Sequence, residues 1–123
     1  MSRRVVITGM GAITPLGHDL PSTWEAIVAG RSGIAQISKF DTTGYRTTIA
    51  AEVKGFEATD HFPRKEARRT DAFVQYALVA SREAVRDAGL PLDDGVGERT
   101  AVIIGSGIGG IHTTTQQTLT LAE

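Results

Sequence analysis

Apolar residues gather along this chain in two kinds of run. Val5-Val6-Ile7-Thr8 and Thr100-Ala101-Val102-Ile103-Ile104 are continuous and β-branched, the pattern of strands buried on both faces, as in a parallel sheet covered by helices. Between them, Phe73, Ala77, Ala80, Ala84 and Ala88 recur at helical spacing, and Val74, Leu78 and Val85 widen the stripe. That spacing predicts a helix over residues 71–88, stopped by Gly89 and Pro91, and its alanines predict close approach to another element. A shorter helix over about residues 20–29 is capped by Asp19 or by the S-x-x-E spacing of Ser22-Thr23-Trp24-Glu25, with Gly30 suited to the left-handed position past its last turn. Trp24, Ile27 and Val28 share one face of it, as packing on a sheet requires.

The remaining segments connect these elements. Residues 31–46 mix Gly, Ser, Thr and Asp with single apolar residues and read as a loop with a turn at Asp41-Thr42-Thr43-Gly44. Residues 47–53 read as a strand ended by Gly55. Gly105-Ser106-Gly107-Ile108-Gly109-Gly110 leads into a threonine- and glutamine-rich segment of weak helical pattern. Strands alternating with helices predict an α/β layered domain. Three apolar strands do not close a sheet, and their two-sided hydrophobicity asks for more cover than these helices supply. No cap or breaker accompanies Ala122-Glu123, so the layer reads as unfinished.

Composition narrows the function classes. A chain of 123 residues holds one modest core. Its 13 basic and 14 acidic side chains give a net charge of −1, so there is no global attraction to nucleic acid or anionic lipid, and any steering comes from a local patch. The absence of cysteine removes disulfides, thiolate metal sites and thiol nucleophiles from these residues. Gly9, Gly11 and Pro15 interrupt the apolar run that follows Arg3-Arg4, which argues against a secretory leader. No stretch has the length and apolarity of a transmembrane helix. A cytoplasmic location is the expectation, with neither nucleic acid nor membrane as partner.

The candidate chemistry is sparse. Gly9-Met10-Gly11-Ala12-Ile13-Thr14 resembles the start of a dinucleotide fingerprint, but Thr14 stands at its third position and Pro15 and Gly17 delay the helix. Gly105-x-Gly107-x-x-Gly110 matches the fingerprint literally, without the strand and acidic partner that complete such a site, so a loop allowing a tight turn and close packing competes with it. Arg64-Lys65-Glu66-Ala67-Arg68-Arg69 follows Pro63. With Pro63 opening a helical turn, Lys65, Arg68 and Arg69 share a side, giving either a solvated face or a site for an anion or acidic partner. His18, His61 and His112 lack metal-ligand spacing, so no metal is expected. Neither Ser22 nor Ser106 has a nucleophile's G-x-S-x-G context.

Taken in order, the segments resemble a known family. Arg4-Val5-Val6-Ile7-Thr8-Gly9-Met10-Gly11, Thr14-Pro15-Leu16-Gly17, Trp24 and Gly30-Arg31-Ser32-Gly33-Ile34 are followed by Phe40-Asp41 and Arg64-Lys65-Glu66. Then come Asp71-Ala72-Phe73-Val74-Gln75-Tyr76-Ala77 and Gly105-Ser106-Gly107-Ile108-Gly109-Gly110. Together they closely resemble the N-terminal part of the β-ketoacyl-[acyl-carrier-protein] synthase II family, the elongating condensing enzymes of fatty-acid synthesis. The resemblance implies a thiolase-like α/β/α/β/α layered fold working as a homodimer, with residues 1–123 as the N-terminal segment of its single ketosynthase domain.

In that family a cysteine accepts the acyl chain from acyl carrier protein. Two histidines then support malonyl decarboxylation and stabilise the enolate oxyanion, and the carbanion lengthens the chain by two carbons. No cofactor is implied. The family's cysteine, catalytic histidines and lysine match no position here, so these residues alone are expected to be inactive. Two features carry over by position: Lys65, Arg68 and Arg69 fall where the family docks acyl- and malonyl-loaded carrier protein, and Ile108 matches the residue that gates the acyl pocket. The alternative is a non-catalytic module that binds carrier protein or a ketosynthase, including a polyketide chain-length-factor role.

Overall fold

The computed structural model describes residues 3–91 and 94–123, and local chemistry sets both ends of its first helix. Helix α1 spans Leu20–Val28. Asp19 caps it by accepting the Ser22 backbone N–H at 2.7 Å, and the Ser22 hydroxyl, then that N–H, holds the Asp19 carboxyl below the ordinary aspartate range. At its other end Gly30 adopts φ 65°. Gly30 N–H donates to Ile27 O at 3.0 Å and Arg31 N–H to Ala26 O at 2.9 Å, the paired bonds of a Schellman motif. Helix α3, Ala72–Asp87, closes in the same way around Gly89 at φ 58°. Helix α2 is the single turn Arg64–Ala67, with Pro63 at its N-cap, one position earlier than the sequence pattern suggested. Helices α4, Asp94–Gly97, and α5, Ile111–Ala122, complete the set.

Strands β1, Ile34–Gln36, and β2, Ile49–Ala51, form an antiparallel pair with Ile34 opposite Ala51 and Gln36 opposite Ile49. The expected loop over residues 31–46 therefore contains a strand. Ile34-Ala35-Gln36 carries no strand signature of its own, and β2 supplies the edge that extends it. Beside the pair, Glu52 is buried and its carboxylate accepts Ser38 Oγ at 2.8 Å, Ser38 N–H at 3.0 Å and Lys39 N–H at 3.2 Å. These donors, the Ser38 hydroxyl foremost, hold its carboxyl below the usual glutamate range.

Helix α3 is the post against which the other segments are fixed. Glu83 Oε2 accepts the Ala12 N–H and Glu83 Oε1 the Leu20 N–H, both at 2.9 Å, while Asp87 Oδ2 accepts the Met10 N–H at 2.9 Å. The approach is close enough that a methyl at Gly9 would stand 2.5 Å from Ala88 N and 2.8 Å from Ala88 Cβ, and one at Gly11 2.9 Å from Ala84 N. The expected close packing of the alanine face is thus met by a glycine loop. On another side of α3, Phe56 stacks on His61 at 5.0 Å and meets Tyr76 edge-on at 4.9 Å and His18 at 5.7 Å. Arg82 lies 4.8 Å over the Phe62 ring and donates to His61 O at 3.1 Å. Burial there pushes the Tyr76 phenol up.

Three expectations of burial are corrected. Residues 5–8 and 100–104 form no ladder, and Val5 and Ile103 are each 93% exposed. An extended segment needs a neighbouring backbone edge, and no described residues present one to either run. Without that sheet, the Trp24, Ile27 and Val28 face of α1 has nothing to pack on and lies exposed, while Thr23 and Ala26 are buried instead. The total accessible surface is 10196 Å², against roughly 6,400 Å² for a folded monomer of this mass.

Two outcomes follow for the intact protein. Gly9→Ala or Gly11→Ala lowers stability by about 1–3 kcal/mol, and an unchanged denaturation midpoint contradicts the close approach. Because the Glu52 pKa is depressed, its contribution is full above the ordinary glutamate value of about 4.3 and is lost as pH falls through the lower folded value. The melting temperatures of wild type and Glu52→Gln accordingly converge below about pH 4.3, and a constant gap down to strong acid contradicts this.

Candidate functional site

A single helical turn assembles the main charged feature. Pro63 fixes the backbone entering α2, and Glu66 N–H and Ala67 N–H donate back to Pro63 O at 2.9 and 3.0 Å. Arg68 N–H to Arg64 O at 3.2 Å and Arg69 N–H to Glu66 O at 2.9 Å carry the winding past the end of α2. Arg64, Lys65, Arg68 and Arg69 consequently line one open cleft of about 420 Å³. Lys65, Arg68 and Arg69 come together as their spacing implied, and Arg64 joins them. All four are exposed, and among the described residues none forms an ion pair. Charge repulsion within the cleft is relieved by water and salt or by a multiply anionic partner.

Buried Gln75 anchors this turn. Its Nε2 donates to Ala67 O at 3.0 Å and Thr70 O at 2.8 Å, tying the end of α2 to the first turns of α3. The Thr70 hydroxyl adds a bond to Glu66 O at 3.0 Å. The patch therefore stands on a backbone turn that Gln75 ties to α3.

Ile108 is not among the residues lining the cleft. It lies in residues 105–110 and is 77% exposed. In that loop the Ser106 hydroxyl accepts the Gly109 N–H at 2.9 Å, a turn-closing role. Methyl groups at Gly105 or Gly107 would meet nothing within 4 Å, so the packing reading of this loop fails for both. It holds for Gly110, which abuts the Asp71 carboxylate.

The first glycine loop is likewise resolved by its contacts. Its Met10 and Ala12 amides, the donors a pyrophosphate would need, are taken by Asp87 and Glu83. Sequence reasoning passed over these two acids, although their i, i+4 spacing beside the Ala84 and Ala88 face was the available signal. His18 and His61, distant in sequence, both contact Phe56, and His18 Nε2 lies 2.9 Å from Lys54 O. Among the described residues, no group of three His, Cys, Asp or Glu is arranged to hold a metal.

Comparison with known proteins gives a consistent picture. The family described as "Beta-ketoacyl synthase, N-terminal domain" matches residues 2–123. The chain is 52% identical over 112 residues to the 3-oxoacyl-[acyl-carrier-protein] synthase 2 of Staphylococcus aureus strain N315, covering 91% of this chain and 27% of that protein. It is 46% identical over 110 residues to the enzyme of the same name from Vibrio cholerae, covering 89% and 27%. Among solved structures it is similar to the ishigamide ketosynthase/chain length factor, with a TM-score of 0.62, 41% identity and coverage of 75% of this chain and 23% of that one. The chain thus spans about 27% of the length of the curated relatives it matches.

With the loop amides already paired, saturating NAD or NADP leaves the melting temperature of the protein unchanged. A concentration-dependent rise contradicts the assignment of those amides to Glu83 and Asp87.

Proposed function

Since this chain belongs to the β-ketoacyl synthase family through its N-terminal domain, we propose that it forms the N-terminal segment of a thiolase-like 3-oxoacyl-[acyl-carrier-protein] synthase. The whole enzyme elongates acyl chains in fatty-acid synthesis by decarboxylative condensation with malonyl-loaded carrier protein. Residues 1–123 hold no cysteine, so the nucleophile that takes the acyl group belongs to the rest of the fold, and these residues alone do not catalyse. Their exposed surface supports the same reading. The excess over a compact monomer, roughly 3,800 Å² by surface scaling, is several times the roughly 800 Å² that one partner contributes to a standard interface. It includes the apolar runs 5–8 and 100–104. The remaining layers of the domain cover those runs.

The role of this segment is docking and gating. The observation that carries it is the cleft of Arg64, Lys65, Arg68 and Arg69, cations that form no ion pair among the described residues and stand on a backbone braced by Gln75. Such an array suits acidic acyl carrier protein in both its acyl- and malonyl-loaded forms, because complementary charge speeds encounter and fixes register. Ile108 in the neighbouring loop gates the acyl pocket. Homodimeric assembly and a cytoplasmic location follow from the family reading, and no helix among the described residues is long and apolar enough to cross a membrane.

A second reading, a non-catalytic chain-length-factor subunit, is favoured by likeness to a ketosynthase/chain length factor. Release of carbon dioxide from malonyl-carrier by the intact protein decides between the two. The condensing enzyme releases it, and a well-folded intact protein that does not is the chain-length-factor subunit.

For the docking surface, Lys65→Glu with Arg68→Glu weakens carrier-protein binding about tenfold or more, and the loss shrinks at high salt. Unchanged affinity would mean that the patch is ordinary solvated surface.

A further inference from the structure

The loop bearing Ile108 is held at one point by a residue that the sequence offered no reason to single out. We infer that Asp71 is a positioning residue for the acyl-pocket gate. Its carboxylate holds the first turn of α5 and so sets where residues 105–110 stand. The inference rests on the reading of Ile108 as that gate.

Asp71 occupies the N-cap of α3 with extended backbone, φ −69° and ψ 156°, and its residue type is among the best at accepting the N–H groups of a helix's own first turn. It makes no such bond. Its Oδ1 instead accepts the Thr113 hydroxyl, 42 positions along the chain. Its Oδ2 lies against Gly110, where a methyl group would collide with it. Gly110 is the N-cap of α5 and has no side chain with which to cap. A carboxylate from another helix thus stands at the N-terminal turn of a 12-residue helix, where negative charge is favoured. Phe73, the second residue of α3, adds an apolar stop, its Cζ 3.8 Å from where a Gly109 Cβ would lie.

Asp71 is also one residue beyond the Thr70 carbonyl that Gln75 holds. On its N-terminal side is the braced cationic turn, and on its carboxylate side the loop of Ile108. One residue therefore sets the gate in register with the docking surface. A local cap would stabilise α3 alone. The bond across 42 residues instead fixes a loop whose other described anchor is its own Ser106 turn.

The test uses the intact condensing enzyme, with kcat and KM measured for acyl-carrier substrates of increasing chain length. Asp71→Ala and Thr113→Val each shift the kcat/KM preference between short and long acyl chains by about tenfold. The double variant shifts it no further than either single one, as expected of two groups acting through one bond. Asp71→Asn keeps an acceptor, Thr113→Ser keeps the hydroxyl, and both retain the wild-type preference. The KM for malonyl-carrier stays constant throughout, which a general loss of structure would not allow. Ile108→Trp serves as the reference. If it moves the preference while Asp71→Ala and Thr113→Val do not, the latch is wrong and the gate stands. If Ile108→Trp leaves the preference unmoved, the gate reading fails and the inference falls with it.

Discussion

The carboxylate of Glu83 accepts backbone N–H groups from Ala12 and from Leu20, the first residue of α1, and so joins two segments that lie 71 and 63 positions away along the chain. One turn further, Asp87 accepts Met10. Charged acceptors make hydrogen bonds roughly twice as strong as neutral ones. Here they act only because Gly9 and Gly11 let the loop backbone rest on the Ala80, Ala84 and Ala88 side of α3. Remove the glycines and the loop stands off; remove the carboxylates and its amides lose their partners. The same helix holds the cationic turn through Gln75 and the start of α5 through Asp71. Helix α3 with its N-cap therefore fixes the first glycine loop, the start of α1, the cationic turn and the start of α5.

How much of this was legible depended on the distance over which each cause acts. Caps and stops are local, so α1 and α3 were readable to within a residue or two, down to the αL glycines Gly30 and Gly89. The shared side of Lys65, Arg68 and Arg69 is likewise a property of one turn. Strand β1 was not legible because Ile34-Ala35-Gln36 becomes a strand only beside β2. The hydrophobicity of Val5 and Ile103 was read as burial in a sheet, which the structure does not show: burial requires neighbouring strands, and the described residues present none. Trp24 misled for the same reason. The role of Asp71 was not legible because the bond it makes reaches Thr113, 42 positions away.

The glycine motifs show how the same letters divide by context. Gly9 and Gly11 permit contact with a helix whose carboxylates take the loop amides, and that contact removes the donors on which a nucleotide reading depends. In the second loop only Gly110 is pressed against a neighbour, while Gly105 and Gly107 are open. A charged cleft, a loop with one anchored end and long apolar runs facing solvent are the features on which the proposed docking and layering rest.

On the function proposed above, residues 5–8 and 100–104, exposed in this structure, are interior strands of the complete ketosynthase fold. Amide hydrogen exchange at those two runs in the intact protein tests it most directly, because ladder pairing slows exchange by the local opening free energy. Protection at Val5–Ile7 and Val102–Ile104 comparable with that of the middle of α3 is the expected result. Exchange at the rate of unstructured chain in the intact, active protein would contradict it.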